Sequence, residues 1–216
     1  MTGPRDIVGD ILPGEYSLEE LAQGNVPLPR RTIVSGVSWK SSNIENTSGE
    51  LIFPSNFSGH LQVEMATNEL LAYYGCEFAE GKSKKVDILF RSAIQDFTYE
   101  KDYLTNYVER KNKGSGLERH PFPHLDCPLT NDSGFFILGK FIENELHITA
   151  FRIPERRTLY IPGNCIHSND YLRGTWRTML SDGCCIDHVH LKKAIRKKKK
   201  GTEENDFESF SFQFWS

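Results

Sequence analysis

Residues 120–139 read HPFPHLDCPLTNDSGFFILG, and the run opens with three residues that bind metals: His120, His124 and Asp126. On a strand, positions two apart point to one face, so His124 and Asp126 would aim an imidazole and a carboxylate at the same place. His120 ranks second to His124 as a donor, because four positions spanning Pro121 and Pro123 give no helical face. The third donor must come from elsewhere in the chain. His167, in LYIPGNCIHSND, follows a strand-like run and a Pro162-Gly163 turn. Two imidazoles and one carboxylate leave coordination positions open and suit a non-haem Fe(II) centre, although Mn, Co, Ni or Zn also fit such a set.

Arg177 lies ten residues beyond His167, inside GTWRTMLS. A guanidinium grips a planar carboxylate through two parallel hydrogen bonds, so Arg177 is the expected anchor for an oxo-acid cosubstrate. Asn169, Tyr171 and Trp176 are expected to line the mouth, with Asn169 and Tyr171 joining Arg177 in catalysis. Each residue also has a plainer reading. His124 and Asp126 could belong to a surface loop, since Pro121, Pro123 and Pro128 surround them. His167 could be a hydrogen-bonded turn residue, and Arg177 half of a structural ion pair.

The order H-x-D, distant His, then Arg resembles the Fe(II)/2-oxoglutarate-dependent oxygenases. The run ITAFRIPERRTLYIPGNCIHSND is similar to the second motif of cupins, where a Pro-Gly turn precedes a metal-binding His and an Asn follows. The resemblance spans roughly residues 118–191. It implies a double-stranded β-helix, a jelly-roll barrel, with metal on His124, Asp126 and His167. It also implies Arg177 as the holder of 2-oxoglutarate. A cupin-type lyase or isomerase using another divalent ion, and a catalytically silent cupin-like binding module, remain alternatives. A separate stretch, SGHLQVEMATNELLAYYG, resembles the central helix of hot-dog-fold thioesterases. There His60, Glu64 and Asn68 would form one helical stripe facing an acyl thioester. The plainer reading is the wet face of an amphipathic helix, and a strand-turn-strand over residues 59–81 is a further alternative.

The elements that must position these residues are mostly strands. RTIVSGVSW, GELIFPS, VDILFRSAIQDFTY, GFFILGKF, ELHITAFRI, RTLYIPG and TWRTMLSDGCCIDHVHL are β-rich runs divided by turn residues, a spacing that indicates a sandwich or barrel. The expected fold is mainly β: one domain over 32–191, an N-terminal arm over 1–31, a charged tail over 192–216, and one or two helices. In the arm, Ser17 and Glu20 fit a capping box, and Pro27 and Pro29 impose an extended path. The tail ends in FSFQF, whose alternation suits an edge strand able to dock or to pair two copies into a homodimer.

With 216 residues, 38% hydrophobic, 25% charged and a net charge of −3, the chain has the composition of a soluble globular protein rather than a polyanion binder. The basic run Lys192–Lys193 to Lys200 has no interleaved aromatics, which argues against base stacking with nucleic acid. No apolar run is long enough to span a membrane. The five cysteines lack zinc-ribbon spacing and read as reduced thiols of a cytoplasmic protein. His147 reads as a packed strand residue, and His188 with His190 as an edge pair rather than a site. The expected ligand is a small organic substrate.

Overall fold

The computed structural model describes residues 27–44, 47–79, 92–110, 114–181, 185–199 and 202–215. The proposed Ser17 cap lies outside them, as does Cys184. The strands in chain order are β1 (Thr32–Ser35), β2 (Ser38–Lys40), β3 (Gly49–Phe53), β4 (His60–Met65), β5 (Glu77–Phe78), β6 (Ser92–Tyr99), β7 (Gly116–Arg119) and β8 (His124–Pro128). They continue with β9 (Phe136–Ile142), β10 (Glu145–Arg152), β11 (Leu159–Ile161), β12 (Ile166–Ser168), β13 (Gly174–Ser181), β14 (Asp187–Lys199), β15 (Thr202–Ser209) and β16 (Gln213–Trp215). A one-turn helix α1 (Asn68–Leu71) runs into a 3-10 turn over 72–74, and a wide π-type turn covers 104–109.

The strands form two sheets. The larger has eleven strands, in the order β16-β4-β10-β9-β12-β7-β14-β3-β2, with β1 added on β10 and β15 on β14. The smaller has five, in the order β5-β11-β8-β13-β6. A mainly β architecture of large sheets is therefore present, as the short punctuated runs imply.

Side-chain parity on β9 explains how the layers stack. Ile137 enters one hydrophobic cluster with Leu146, Ile148 and Ala150 of β10. Phe136 and Leu138, one position off, enter a second cluster with Phe151. That second cluster also takes Leu159 and Ile161 of β11 and Trp176 of β13, so it fills the space between the two sheets. The middle of the large sheet is thus apolar on both faces. This is why β9 reads as an unbroken run, FILG, rather than an alternation.

Two sequence expectations need correction here. Residues 60–75 do not form one helix. His60, Leu61 and Gln62 pair in parallel with β16, and Val63, Glu64 and Met65 pair with β10. Asn68 begins α1, where Thr67 caps Leu70 and the Asn68 side chain accepts from the Phe78 amide at 2.7 Å. His60, Glu64 and Asn68 therefore share no helical stripe. The second correction is the boundary at 191. β14 continues through it to Lys199 and turns back as β15, with Lys193 opposite Glu208. Basic residues that look like a solvated tail are a strand facing an acidic partner strand. Phe212 is buried against Phe53 and Phe57, and 213–215 lie on β4 as an edge strand. The docking expected of FSFQF is an intramolecular one. Among the described residues, no helix is long and apolar enough to cross a membrane.

Candidate metal centre

The inter-sheet space receives polar side chains from both walls. From the large sheet, register pairs His167 of β12 with Glu118 of β7 and with Leu138 of β9. Directly paired residues share a face, and Leu138 points between the sheets, so Glu118 and His167 point there too. From the small sheet, β8 buries His124, Asp126 and Pro128 while Leu125 and Cys127 are only half-buried. The i, i+2 expectation for His124 and Asp126 therefore holds as geometry. Their neighbours in register on β11 are Ile161 and Leu159, which close the apolar rim.

His120 comes from the short link between β7 and β8. Pro121 and Pro123 fold this link so tightly that the His120 ring stacks on Phe122 with centroids 3.8 Å apart and reaches His124 at 4.4 Å. His167 closes the group, 4.9 Å from His120 and 5.1 Å from His124. One ring nitrogen from each of the three buried histidines falls within 4.8 Å of the others. This is the set that could hold an ion. His120, ranked second from sequence, joins His124 and His167. The prolines that rule out a helical face supply a reversal that brings the two rings together.

The hydrogen bonds fix which nitrogens are available. His120 Nδ1 donates to the Phe122 carbonyl at 2.8 Å, and His167 Nδ1 donates to the Cys165 carbonyl at 3.0 Å. Each ring therefore turns its Nε2 toward the shared space, and among the described residues neither of these buried Nε2 atoms has a hydrogen-bond partner. A backbone carbonyl holding one nitrogen while the other faces a shared buried point is the arrangement of metal-ligating histidines. Glu118 Oε1 lies 3.3 Å from His167 Nε2, a contact that fails hydrogen-bond geometry and is electrostatic in kind. Two donors on one ion with bonds of about 2.1 Å are themselves about 3.0–3.4 Å apart, so Glu118 stands where a fourth ligand could approach.

Charge in the pocket follows from these contacts. Burial disfavours the His167 imidazolium, but the adjacent Glu118 carboxylate outweighs it and raises the pKa to about 9. Burial would push Glu118 up, yet His167 holds it down to about 2. Burial, with the His167 charge added, lowers His120 to about 4 and His124 to about 3. Without an ion, the pocket is a His167–Glu118 ion pair beside two neutral imidazoles.

Asp126 stands beside the cluster rather than in it. Thr178 Oγ1 donates to its Oδ1 at 2.8 Å. Its buried Oδ2 has no hydrogen-bond partner among the described residues and lies 3.8 Å from His124 Nδ1. Burial raises its pKa to about 6, against the lowering effect of the Thr178 bond. A second carboxylate, Glu118, lies closer to an imidazole nitrogen, 3.3 Å from His167 Nε2. The sequence reading missed it, although Glu118 and His120 are two apart at the end of β7.

The remaining expected site residues lie elsewhere. Arg177 faces outward: its Nε and Nη2 donate to Asp96 at 2.8 and 2.9 Å, and both side chains are largely exposed. Parity is the reason. Trp176 and Thr178 of β13 face inward opposite Pro128 and Asp126, which puts Arg177 on the outer face beside Cys127 and Asp96. The ion-pair reading is the correct one, and Arg177 anchors no cosubstrate between the sheets. Tyr171 is buried in the other cluster, its hydroxyl 2.6 Å from Ser115 Oγ and accepting from the Phe212 amide. Trp176 is fully buried and donates to the Arg173 carbonyl, so it is core and not mouth. Asn169 follows β12 in a half-buried turn, where its carbonyl accepts from Leu172. His147 packs as expected, with Nδ1 2.5 Å from the Tyr73 hydroxyl.

Comparison with protein-family models and with curated proteins found no match.

Proposed function

We propose that this protein is a metal-dependent enzyme of the cupin/oxygenase type. Its divalent ion, Fe(II) foremost, would sit on His120, His124 and His167 and serve the oxidation of a small organic substrate. The supporting observation is the pair of Nε2 atoms, on His120 and His167, oriented by backbone carbonyls and left without hydrogen-bond partners among the described residues, beside His124. A two-sheet architecture with these residues between the layers is compatible with a double-stranded β-helix, the barrel that the Pro-Gly-to-His167 run resembles. When bound, such an ion supplies Lewis acidity and, as iron, one-electron chemistry with oxygen.

The chain's own residues supply the rest. Glu118 offsets positive charge at His167 and can approach as a further ligand. Asp126, held by Thr178 and protonated more readily than an ordinary carboxylate, can carry a proton beside His124. The apolar rim of Leu159, Ile161, Phe136 and Trp176 excludes water. 2-Oxoglutarate has no place in the proposal, because the residue that motivated it faces outward.

One observation favours a second reading. The ligand set is three imidazoles, with Asp126 outside it. Such a set also suits zinc, nickel or copper, and with them cupin-type lyase or isomerase chemistry. The test is elemental analysis of purified protein, followed by oxygen-uptake measurements across a panel of small organic acids, thiols and phenols. Stoichiometric iron with substrate-dependent oxygen uptake supports oxidation. Stoichiometric zinc or nickel without uptake supports the second reading, and absence of bound metal that added Zn(II) or Fe(II) does not restore rejects both.

A further inference from the structure

Two thiols lie behind His167. Cys76 follows the 3-10 turn that ends at Gly75, and Cys165 closes the Pro162-Gly163-Asn164 turn leading into β12. They are far apart in sequence, yet their Sγ atoms are 3.7 Å apart. Both point at one acceptor, the Tyr74 carbonyl, at 3.8 and 3.6 Å. The two turns are packed together. Gly75 has φ +74° and lies against the Pro162 ring, and a side chain at Gly163 would run into the Pro121 backbone at 2.5 Å. The Asn164 amide also donates to the His120 carbonyl at 2.6 Å. The Cys165 turn is thus wedged between the second thiol and two of the three histidines. Its own carbonyl is the acceptor that orients His167.

We propose that Cys76 and Cys165 form a reversible redox site, closing to a disulfide that disturbs the anchor of His167. A disulfide needs the sulfurs at about 2.05 Å, so they must approach by only about 1.7 Å. Access comes from a cavity of about 360 Å³ lined by Cys165 together with Tyr73, Tyr74, Arg119 and Lys140. Cys165, half-buried and on this cavity, is the thiol oxidised first; Cys76, buried behind it, is the resolving one. With hydrogen peroxide as oxidant, the Cys165 sulfur attacks one peroxide oxygen, the O–O bond breaks, and one water leaves with formation of a sulfenic acid. The Cys76 sulfur then attacks the Cys165 sulfur, the S–O bond breaks, and a second water leaves. Two thiols lose two protons and two electrons, and the peroxide is reduced to two waters. A dithiol reductant reverses the step. Pulling Cys165 toward Cys76 moves the carbonyl that holds His167 Nδ1. Loss of a ligand's outer partner weakens metal affinity about 10–100-fold.

The effect on metal affinity rests on the metal reading above; the disulfide does not. The experiment treats the full chain with limiting hydrogen peroxide and maps cross-linked peptides by mass spectrometry. Zn(II) affinity of the oxidised, reduced and re-reduced protein is then titrated. The expected result is a Cys76–Cys165 cross-link, absent in Cys165→Ser and Cys76→Ser and removed by dithiothreitol, with Zn(II) affinity at least about tenfold weaker while it is present. Irreversible sulfinic acid at Cys165 without a cross-link, or a cross-link through Cys127 or Cys185 instead, overturns the proposal. A Cys76–Cys165 cross-link with unchanged Zn(II) affinity overturns the coupling to His167. If the reduced protein binds no Zn(II), the metal reading has failed, and the cross-link alone decides this one.

Discussion

The structure holds two histidine clusters with the same ring separation. His124 and His167 are 5.1 Å apart between the sheets, and His188 and His190 are 5.1 Å apart on β14. The first pair gains His120 as a third donor, and two of its rings are tied by Nδ1 to backbone carbonyls. The second pair is occupied differently. His188 Nδ1 is hydrogen-bonded to Ser48 Oγ at 2.8 Å. Asp187, the neighbouring carboxylate, takes hydrogen bonds from Trp39, Ser41 and Arg119. Proximity of two imidazoles is therefore cheap. A metal centre needs a third converging donor and outer partners that leave the right nitrogens facing inward.

The largest expected effect separates the two clusters outright. His167→Ala or His120→Ala should weaken Zn(II) or Fe(II) binding by at least about 100-fold, whereas His188→Ala should leave it within about twofold, since one ligand of three is lost only in the first case. Metal titration with far-UV circular dichroism on the same samples checks this. Equal losses from both clusters would remove the distinction.

A smaller effect is expected at Glu118. Glu118→Gln keeps the shape and removes the charge beside His167, which should cost about tenfold in metal affinity. It should also lower the His167 pKa, because the carboxylate is what raises it. Imidazole NMR of the metal-free variant measures that shift directly. An unchanged His167 titration would show that Glu118 is not its partner.

The pH dependence should follow in sign and slope. Near pH 7 the metal-free protein carries a proton on His167, whose pKa is about 9, while His120 and His124, at about 4 and 3, are already neutral. Ion and proton compete for the same Nε2 lone pair, so binding releases one proton. Apparent affinity should climb about tenfold per pH unit from pH 7 to 9 and then level off. Competition titrations at fixed ionic strength measure the slope. A flat profile would mean that His167 is not a ligand.

The smallest expected effect is at Arg177. Among the described residues its guanidinium bonds only Asp96, on the outer face of the small sheet, in a largely exposed pair. Arg177→Lys should leave metal affinity unchanged, and no saturable 2-oxoglutarate binding is expected from the unmodified protein. Anaerobic calorimetry with Fe(II) tests this, and tight binding lost in the Lys variant would restore the anchor role.

What the sequence made legible was parity and punctuation. Short runs between turn residues marked β9, β10, β11 and β13, and H-x-D correctly put His124 and Asp126 on one face. Which parity faces inward was the harder question. On β13 it is decided by Trp176, too large and apolar to leave in water, and that choice sends Arg177 outward. His120 was undervalued because a proline-bounded link has no periodicity to read, although a tight reversal is what such a link produces. Glu118 belongs to no motif; its role depends on β7 lying beside β12, a pairing between strands far apart in sequence. The basic run after 191 has the composition of a tail. Only the antiparallel partner strand, bringing Glu208 opposite Lys193, makes it part of a sheet.

The most direct test of the central claim is X-ray absorption at the metal edge of protein purified without chelators, with metal content measured on the same sample. The account expects about one divalent ion per chain, with a first shell of three imidazole nitrogens at about 2.0–2.2 Å. Metal content near zero that saturating Zn(II) or Fe(II) does not raise, or a shell with no imidazole scattering, would contradict it.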